Sequence, residues 1–301
     1  GHWEKVVMRI LKQDESLINI EALGLIDVNL EKVREALKST FWIILVAWPT
    51  GSWKSTTLFG ILKNFNPLEH NISTLEDPIE YDIEYVNQSQ VKPEIWYTFA
   101  TWLRSLVRQD PDIIMVWEIR DKETAVLAVE AALTGHLVLS TIHTNSAAGT
   151  VQRLINMGVE PFLLASAMKM VISQRLGKKI CPHCKEKYTL KDFEEKKVKE
   201  VLSPIINKEE LEHLEFYHGT GCEKCGWTWY KGRMWFHEVL IVWDYLEPLI
   251  LEKESANAMR EEAIKNWMVT ITQDALLKAL IWETTDRKRH VWTPVTVRSR
   301  M

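Results

Sequence analysis

The 301-residue chain predicts an α/β fold with a parallel sheet covered on both faces, and three observations carry that reading. Short apolar runs of strand length recur, each followed by an amphipathic helical pattern. Several runs end in a carboxylate, an imidazole or a polar loop, which is where open α/β sheets gather their ligand-binding groups. The four cysteines stand apart from this alternation, in two C-x2-C pairs.

In order along the chain, Val6, Val7, Met8 and Ile10 form a short strand-like run, followed by a polar turn and the apolar Leu23 and Leu25. Asn29–Leu37 has helical periodicity, and Phe41–Ala47 is a continuous apolar run of buried-strand type. Thr56–Leu62 reads as a helix, Asn71–Leu75 as a strand, Phe99–Arg108 as a helix and Ile113–Trp117 as a strand. Lys122–Leu133 follows as a helix, Leu137–Ile142 as a strand and Ala147–Met157 as a helix. Residues 185–215 are rich in Lys and Glu and are expected to form one or two solvated helices between the cysteine pairs. Beyond Glu238 a small helical layer is expected. The resulting division is 1–24, a main core over 25–180, a cysteine subdomain over 181–232 and a helical subdomain over 233–301.

Composition narrows the function. Hydrophobic residues make up 46% and charged residues 26%, enough for a sizeable core, while a net charge of −4 gives no bulk attraction for nucleic acid. The longest apolar run, about Phe41 to Trp48, is too short to span a bilayer, and no signal-peptide pattern is read. Using every cysteine in metal-type spacing fits a reducing compartment.

Cys181-Pro-His-Cys184 and Cys222-Glu-Lys-Cys225 each offer two thiolates from one tight turn, and two such turns close a tetrahedron. Four soft protein ligands suit Zn2+ and leave no open position, so the metal would be structural; the alternative is four free thiols. Trp48-Pro49-Thr50-Gly51-Ser52-Trp53-Lys54-Ser55 lies between a predicted strand and a predicted helix. It would match the phosphate-binding loop G-x-x-x-x-G-K-[ST] if Trp48 and Trp53 were glycine. In such a loop the backbone N–H groups wrap phosphates, the lysine neutralises charge and the hydroxyl holds Mg2+. The competing reading is a polar loop with an N-cap serine. Thr74-Leu-Glu-Asp-Pro-Ile-Glu80, Ile113-Ile-Met-Val-Trp-Glu118 and Leu139-Ser-Thr-Ile-His143 add charged or polar groups at three further strand ends.

Together these motifs resemble the type II secretion and type IV pilus assembly ATPases, the secretion traffic ATPases. The phosphate-loop remnant, the Asp box Thr74–Glu80, the segment Arg108–Asp121, the His box from Thr134-Gly-His136 through His143, and Gln174-Arg-Leu leading into Cys181 carry the resemblance. It runs from Glu4 to about Thr285, and the tetracysteine insertion is similar to that of the extension and secretion branch. The resemblance implies a RecA-like core and a homohexamer that hydrolyses ATP between subunits. Pro49, Thr50, Gly51, Ser52, Lys54, Ser55 and Thr56 would bind ATP and Mg2+, with Arg9 reaching the nucleotide across a subunit boundary. Glu118 would be the Walker B carboxylate, Glu80 would orient the attacking water, His143 would sense the γ-phosphate, and Arg104, Arg108 and Arg120 would stabilise charge. It further implies a cytoplasmic motor, peripheral to the inner membrane and recruited by platform proteins, with no direct nucleic-acid partner. Residues 1–24 would be the last strand and linker of a preceding domain.

The chain departs from this family in one systematic way. Positions 3, 42, 48, 53, 96, 102, 117, 229, 235, 267 and 282 hold Trp where the family resemblance leads to Gly, and the chain has 14 Trp against 12 Gly. An indole at 53 would press on the phosphate cradle and one at 117 would crowd the same site. The indoles leave a second reading, a scaffold of the same fold without hydrolysis; a third, a related DNA-uptake or conjugation motor, shares the core but is opposed by the tetracysteine insertion and the acidic balance. The tail Asp286-Arg-Lys-Arg-His290 is more basic than the resemblance implies.

Overall fold

The computed structural model describes residues 19–47 and 54–280, apart from the side chains of Lys54, Ser55 and Pro93. The elements in chain order are α1 (Asp27–Leu37), β1 (Trp42–Ala47), α2 (Lys54–Leu62), β2 (Ile72–Glu76), β3 (Asn87–Gln90), α3 (Phe99–Leu106), β4 (Ile113–Val116), α4 (Lys122–Leu133), β5 (Leu137–Ile142) and α5 (Ala147–Asn156). There follow α6 (Pro161–Ala167), β6 (Met168–Ile180), β7 (Lys185–Tyr188), α7 (Asp192–Leu202), α8 (Lys208–Glu212), β8 (Phe216–Gly219), β9 (Tyr230–Ile241), α9 (Glu247–Leu251), α10 (Ala256–Lys265) and α11 (Ile271–Leu280). Among the described residues, seven strands form one sheet in the order β3-β2-β4-β5-β1-β6-β9. Its first six strands are parallel, and β9 closes one edge antiparallel to β6.

Strands buried on both faces explain why their sequences read as unbroken apolar runs rather than alternating ones. Alternate residues still sort into two cores. Ile43 and Leu45 of β1 face α3, α4, α5 and α6. Ile44 and Val46 face α1 and α2, which contribute Val33, Leu58, Phe59 and Ile61. Leu23 and Leu25 join this second core.

The predicted helices and strands of residues 29–157 are all present, with end shifts of at most two residues. Phe99–Arg108 shortens because the helix stops at Leu106 and tightens into a 3-10 turn over Val107–Gln109. The long pair β6 and β9 is the main addition. It was illegible because its ribbon end is polar and its partners lie some sixty residues apart in the chain. The expected boundary at 232/233 falls inside β9, which belongs to the main sheet.

An edge strand exposes unpaired backbone groups. Helix α11 satisfies two of them on β9: the His237 N–H donates to Asp274 Oδ2 at 2.9 Å, and Lys278 Nζ donates to the Trp235 carbonyl at 2.8 Å. Asp274 and Lys278 pair at 2.6 Å and are almost wholly buried. Burial pushes the Asp274 carboxyl up and the Lys278 ammonium down, so desolvation opposes both charges and the pair depends on its geometry. Lys278→Ala is expected to cost about 3–5 kcal/mol, because it strands a buried carboxylate and a backbone carbonyl. Urea denaturation measures it, and a loss below about 1 kcal/mol would contradict the edge-cap account.

Backbone conformation bears directly on the tryptophans. Trp42, Trp96, Trp229 and Trp267 have φ of 123°, 61°, 69° and 64°. Trp227, which the sequence reading did not single out, joins them at 59°. A bulky residue at such φ is an outlier, whereas glycine adopts it freely. Trp96, Trp227 and Trp267 are more than two-thirds exposed, so at these sites the backbone and not a clash carries the cost. Trp102 and Trp117 are different, being buried within the two cores. Trp3, Trp48, Trp53, Trp282, Arg9, Val6–Ile10 and the Asp286–His290 tail lie outside the described residues.

Candidate active site and metal centre

Helix α2 begins just past the carboxyl end of β1, so its unpaired N–H groups and the positive end of its dipole face the edge where β2, β4 and β5 also end. Pro49, Thr50, Gly51 and Ser52, and the side chains of Lys54 and Ser55, lie outside the described residues. Thr56 is buried in the first turn of α2. Thr57 beside it donates to Gln174 Oε1 of β6 at 2.7 Å, which ties this helix to the neighbouring strand. The Gln174 contact is a role that the sequence left unassigned.

Glu118 follows β4 directly and is only 3% exposed. Its Oε1 lies 2.9 Å from His143 Nε2, which follows β5, and its Oε2 accepts from Arg120 at 2.9 Å. Arg120 also reaches Asp77 Oδ2 at 3.5 Å. The structure thus gathers three of the expected catalytic residues, Glu118, His143 and Arg120, and adds Asp77. The hydrogen bond from Arg120 to Glu118 raises the guanidinium pKa still further, so this cation stays charged. Since β4 and β1 are separated by one strand, Glu118 stands about 10 Å across the sheet from the start of the loop after β1.

Arg104 is placed elsewhere. It lies on α3 and pairs with Glu123 of α4 at 2.6 Å, not with the Glu118 cluster. Arg108 sits exposed in the 3-10 turn. Trp117, expected to crowd the phosphate loop, packs its indole into the core 6.1 Å from the Phe59 ring, because it continues the odd-numbered face of β4 that meets α2. Its carbonyl accepts the Thr141 hydroxyl at 2.5 Å. Glu80 is half-buried in the loop after β2. Glu76, the last residue of β2, which the sequence left without a role, is fully buried; burial raises its pKa, offset in part by hydrogen bonds from Thr74 and Gln88.

The four cysteines converge at the far end of the β6–β9 ribbon. Their sulfurs all lie within 4.8 Å of one another. Cys181–Cys222 is 3.7 Å, Cys184–Cys225 is 3.9 Å and Cys222–Cys225 is 3.8 Å. A tetrahedron with metal–sulfur bonds of about 2.3 Å has edges of about 3.8 Å, so the cluster fits Zn2+. Backbone turns set these spacings: the Cys184 N–H donates to the Cys181 carbonyl, and the Cys225 N–H to that of Cys222. The expected solvated helices are α7 and α8, but the insertion also forms an antiparallel pair, β7 with β8, across which these helices are inserted.

No helix among the described residues is long and apolar enough to cross a membrane. Among solved structures, the Legionella pneumophila ATPase DotB matches 86% of the chain and 61% of its own at 23% identity and a TM-score of 0.60. The pilus retraction motor PilT with bound ADP matches 85% and 65% at 28% identity and a TM-score of 0.55. These likenesses make the core RecA-like. In sequence, the type II secretion system ATPase E of Vibrio cholerae is 46% identical over 92% of the chain. The type IV pilus assembly ATPase PilB of Thermus thermophilus is 46% identical over the same share. The chain spans 54% and 30% of the length of these two curated relatives. A family model described as "Type II/IV secretion system protein" matches residues 2–288, and the chain belongs to that family of ATPases.

Proposed function

We propose that the chain is the ATPase core of a hexameric motor that drives pilus or pseudopilus assembly, or type II protein secretion. The observation that carries the reading is the meeting of Glu118, His143, Arg120 and Asp77 at the strand ends beside the start of α2. Phosphoryl transfer asks a protein mainly for such positioning and charge. Lys54 and Ser55 would hold the phosphates and Mg2+, with the buried Glu118 as the acidic partner. Bound Mg2+ supplies charge neutralisation on the phosphates. Glu80 orients the attacking water, His143 and Arg120 hold Glu118 in place until nucleotide arrives, and Arg9, Arg104 and Arg108 act from or toward a neighbouring subunit. The motor works at the cytoplasmic side of the inner membrane, recruited by platform proteins.

A second reading, a scaffold without hydrolysis, is favoured by the indoles of Trp48 and Trp53 where the loop needs bare backbone. Titration with a fluorescent ATP analogue separates the two. Saturable, Mg2+-dependent binding that is lost in Lys54→Ala supports the motor, and its absence even after restoring Gly at 48 and 53 rejects it.

The tetracysteine cluster holds one structural Zn2+ per chain. Cys184→Ser is expected to abolish stoichiometric zinc and to open residues 181–232 to protease while the main sheet stays resistant, since the subdomain has little core of its own. Metal analysis of protein prepared without chelator checks it, and zinc-free but protease-resistant protein would overturn it.

A further inference from the structure

The loop that carries Glu80 connects two neighbouring parallel strands through only ten residues, 77–86, with no helix among them. Parallel connections ordinarily take a dozen or more residues and a packed helix. Something else must therefore fix this loop. One side chain holds two of its backbone groups: Gln88 of β3, directly opposite Thr74 in the register of β2. Its Nε2 donates to Glu76 Oε1 at 2.8 Å and to the Tyr81 carbonyl at 2.9 Å, while its Oε1 accepts the Ile83 N–H at 2.7 Å. Thr74 donates to the same Glu76 oxygen at 2.6 Å. The Tyr81 ring packs edge-on to Phe59 of α2 at 5.3 Å, so the clamped loop also rests on the helix that opens at the phosphate site.

We propose that Gln88, with Glu76 as its buried anchor, is a positioning residue for hydrolysis that sets where Glu80 stands relative to α2. The proposal rests on the reading of Glu80 as the water-orienting carboxylate. Gln88 touches the residue after Glu80 and one three beyond it, so its loss frees the loop on the carboxyl side of Glu80. Glu76 cannot relax to compensate, because it is fully buried and held by Thr74. An isosteric Gln88→Glu keeps the acceptor for Ile83 but places a second carboxylate against Glu76. One shared proton then restores the donor to Glu76 but not the one to the Tyr81 carbonyl, so part of its defect fades as pH falls.

Two measurements on the full chain test this. In hydrogen exchange without nucleotide, amides of residues 77–86 should exchange about tenfold faster in Gln88→Leu, with β4 and β5 unchanged. Unchanged exchange over 77–86, or acceleration throughout the sheet, overturns the proposal. In the Trp48→Gly, Trp53→Gly background, Gln88→Leu should lower kcat by about tenfold to a hundredfold at unchanged KM. Gln88→Glu should regain activity toward low pH. A kcat within twofold of the background, or a KM rising in step with its fall, overturns the positioning role. Glu80→Gln run alongside keeps the two ideas apart. If it retains full kcat, the reading of Glu80 fails; if it is inactive while Gln88→Leu is not, only the positioning proposal fails.

Discussion

Replacing Trp42, Trp96, Trp227, Trp229 and Trp267 together by glycine stabilises the chain by about 5 kcal/mol. Each sits at positive φ. A left-handed conformation costs an L-residue about 1–2 kcal/mol, and the extra entropy that glycine gives the unfolded chain returns up to about 1 kcal/mol of the gain. The net is about 1 kcal/mol per site. It should be nearly additive except between the neighbours 227 and 229, and it is comparable with the whole stability of many domains, about 5–15 kcal/mol. A melting temperature higher by about 10 °C and a urea midpoint moved upward are the expected readings. Trp117→Gly provides the contrast: it removes an indole from the core and leaves a cavity, so stability falls by about 3–5 kcal/mol. If all six substitutions moved stability the same way, backbone conformation would not be what distinguishes these sites.

The second large effect concerns the phosphate loop. Trp48→Gly with Trp53→Gly is expected to tighten ATP binding by about two to four orders of magnitude, since two backbone contacts to a charged phosphate contribute about 1.5–3 kcal/mol each. Lys54→Ala in that background should remove the gain. Equilibrium titration at fixed Mg2+ measures both. Trp117 need not be changed for this purpose, because its side chain is packed away under α2. Equal affinity before and after the double substitution would mean that the indoles do not stand in the phosphate path.

The sequence alone determined whatever depends on local pattern. Buried parallel strands need continuous apolar runs and covering helices need 3.6-residue periodicity, so the alternation from Asn29 to Met157 and the sheet class followed directly. The cysteine spacing fixed a four-sulfur site because each pair closes within one turn, and a carboxylate and an imidazole at strand ends marked Glu118 and His143. Only the tertiary structure decided what depends on contacts between distant segments. It paired β6 with β9 and wrapped the exposed edge with Asp274 and Lys278 of α11. It joined Arg120 to Asp77 and Glu118 while leaving Arg104 with Glu123, and it brought Gln88 under the Glu80 loop. None of these is written in a periodicity, because a salt bridge or an amide clamp is set by where two strands end side by side. The tryptophans needed both: the family resemblance led to Gly where they stand, and φ showed at which described positions the backbone favours it.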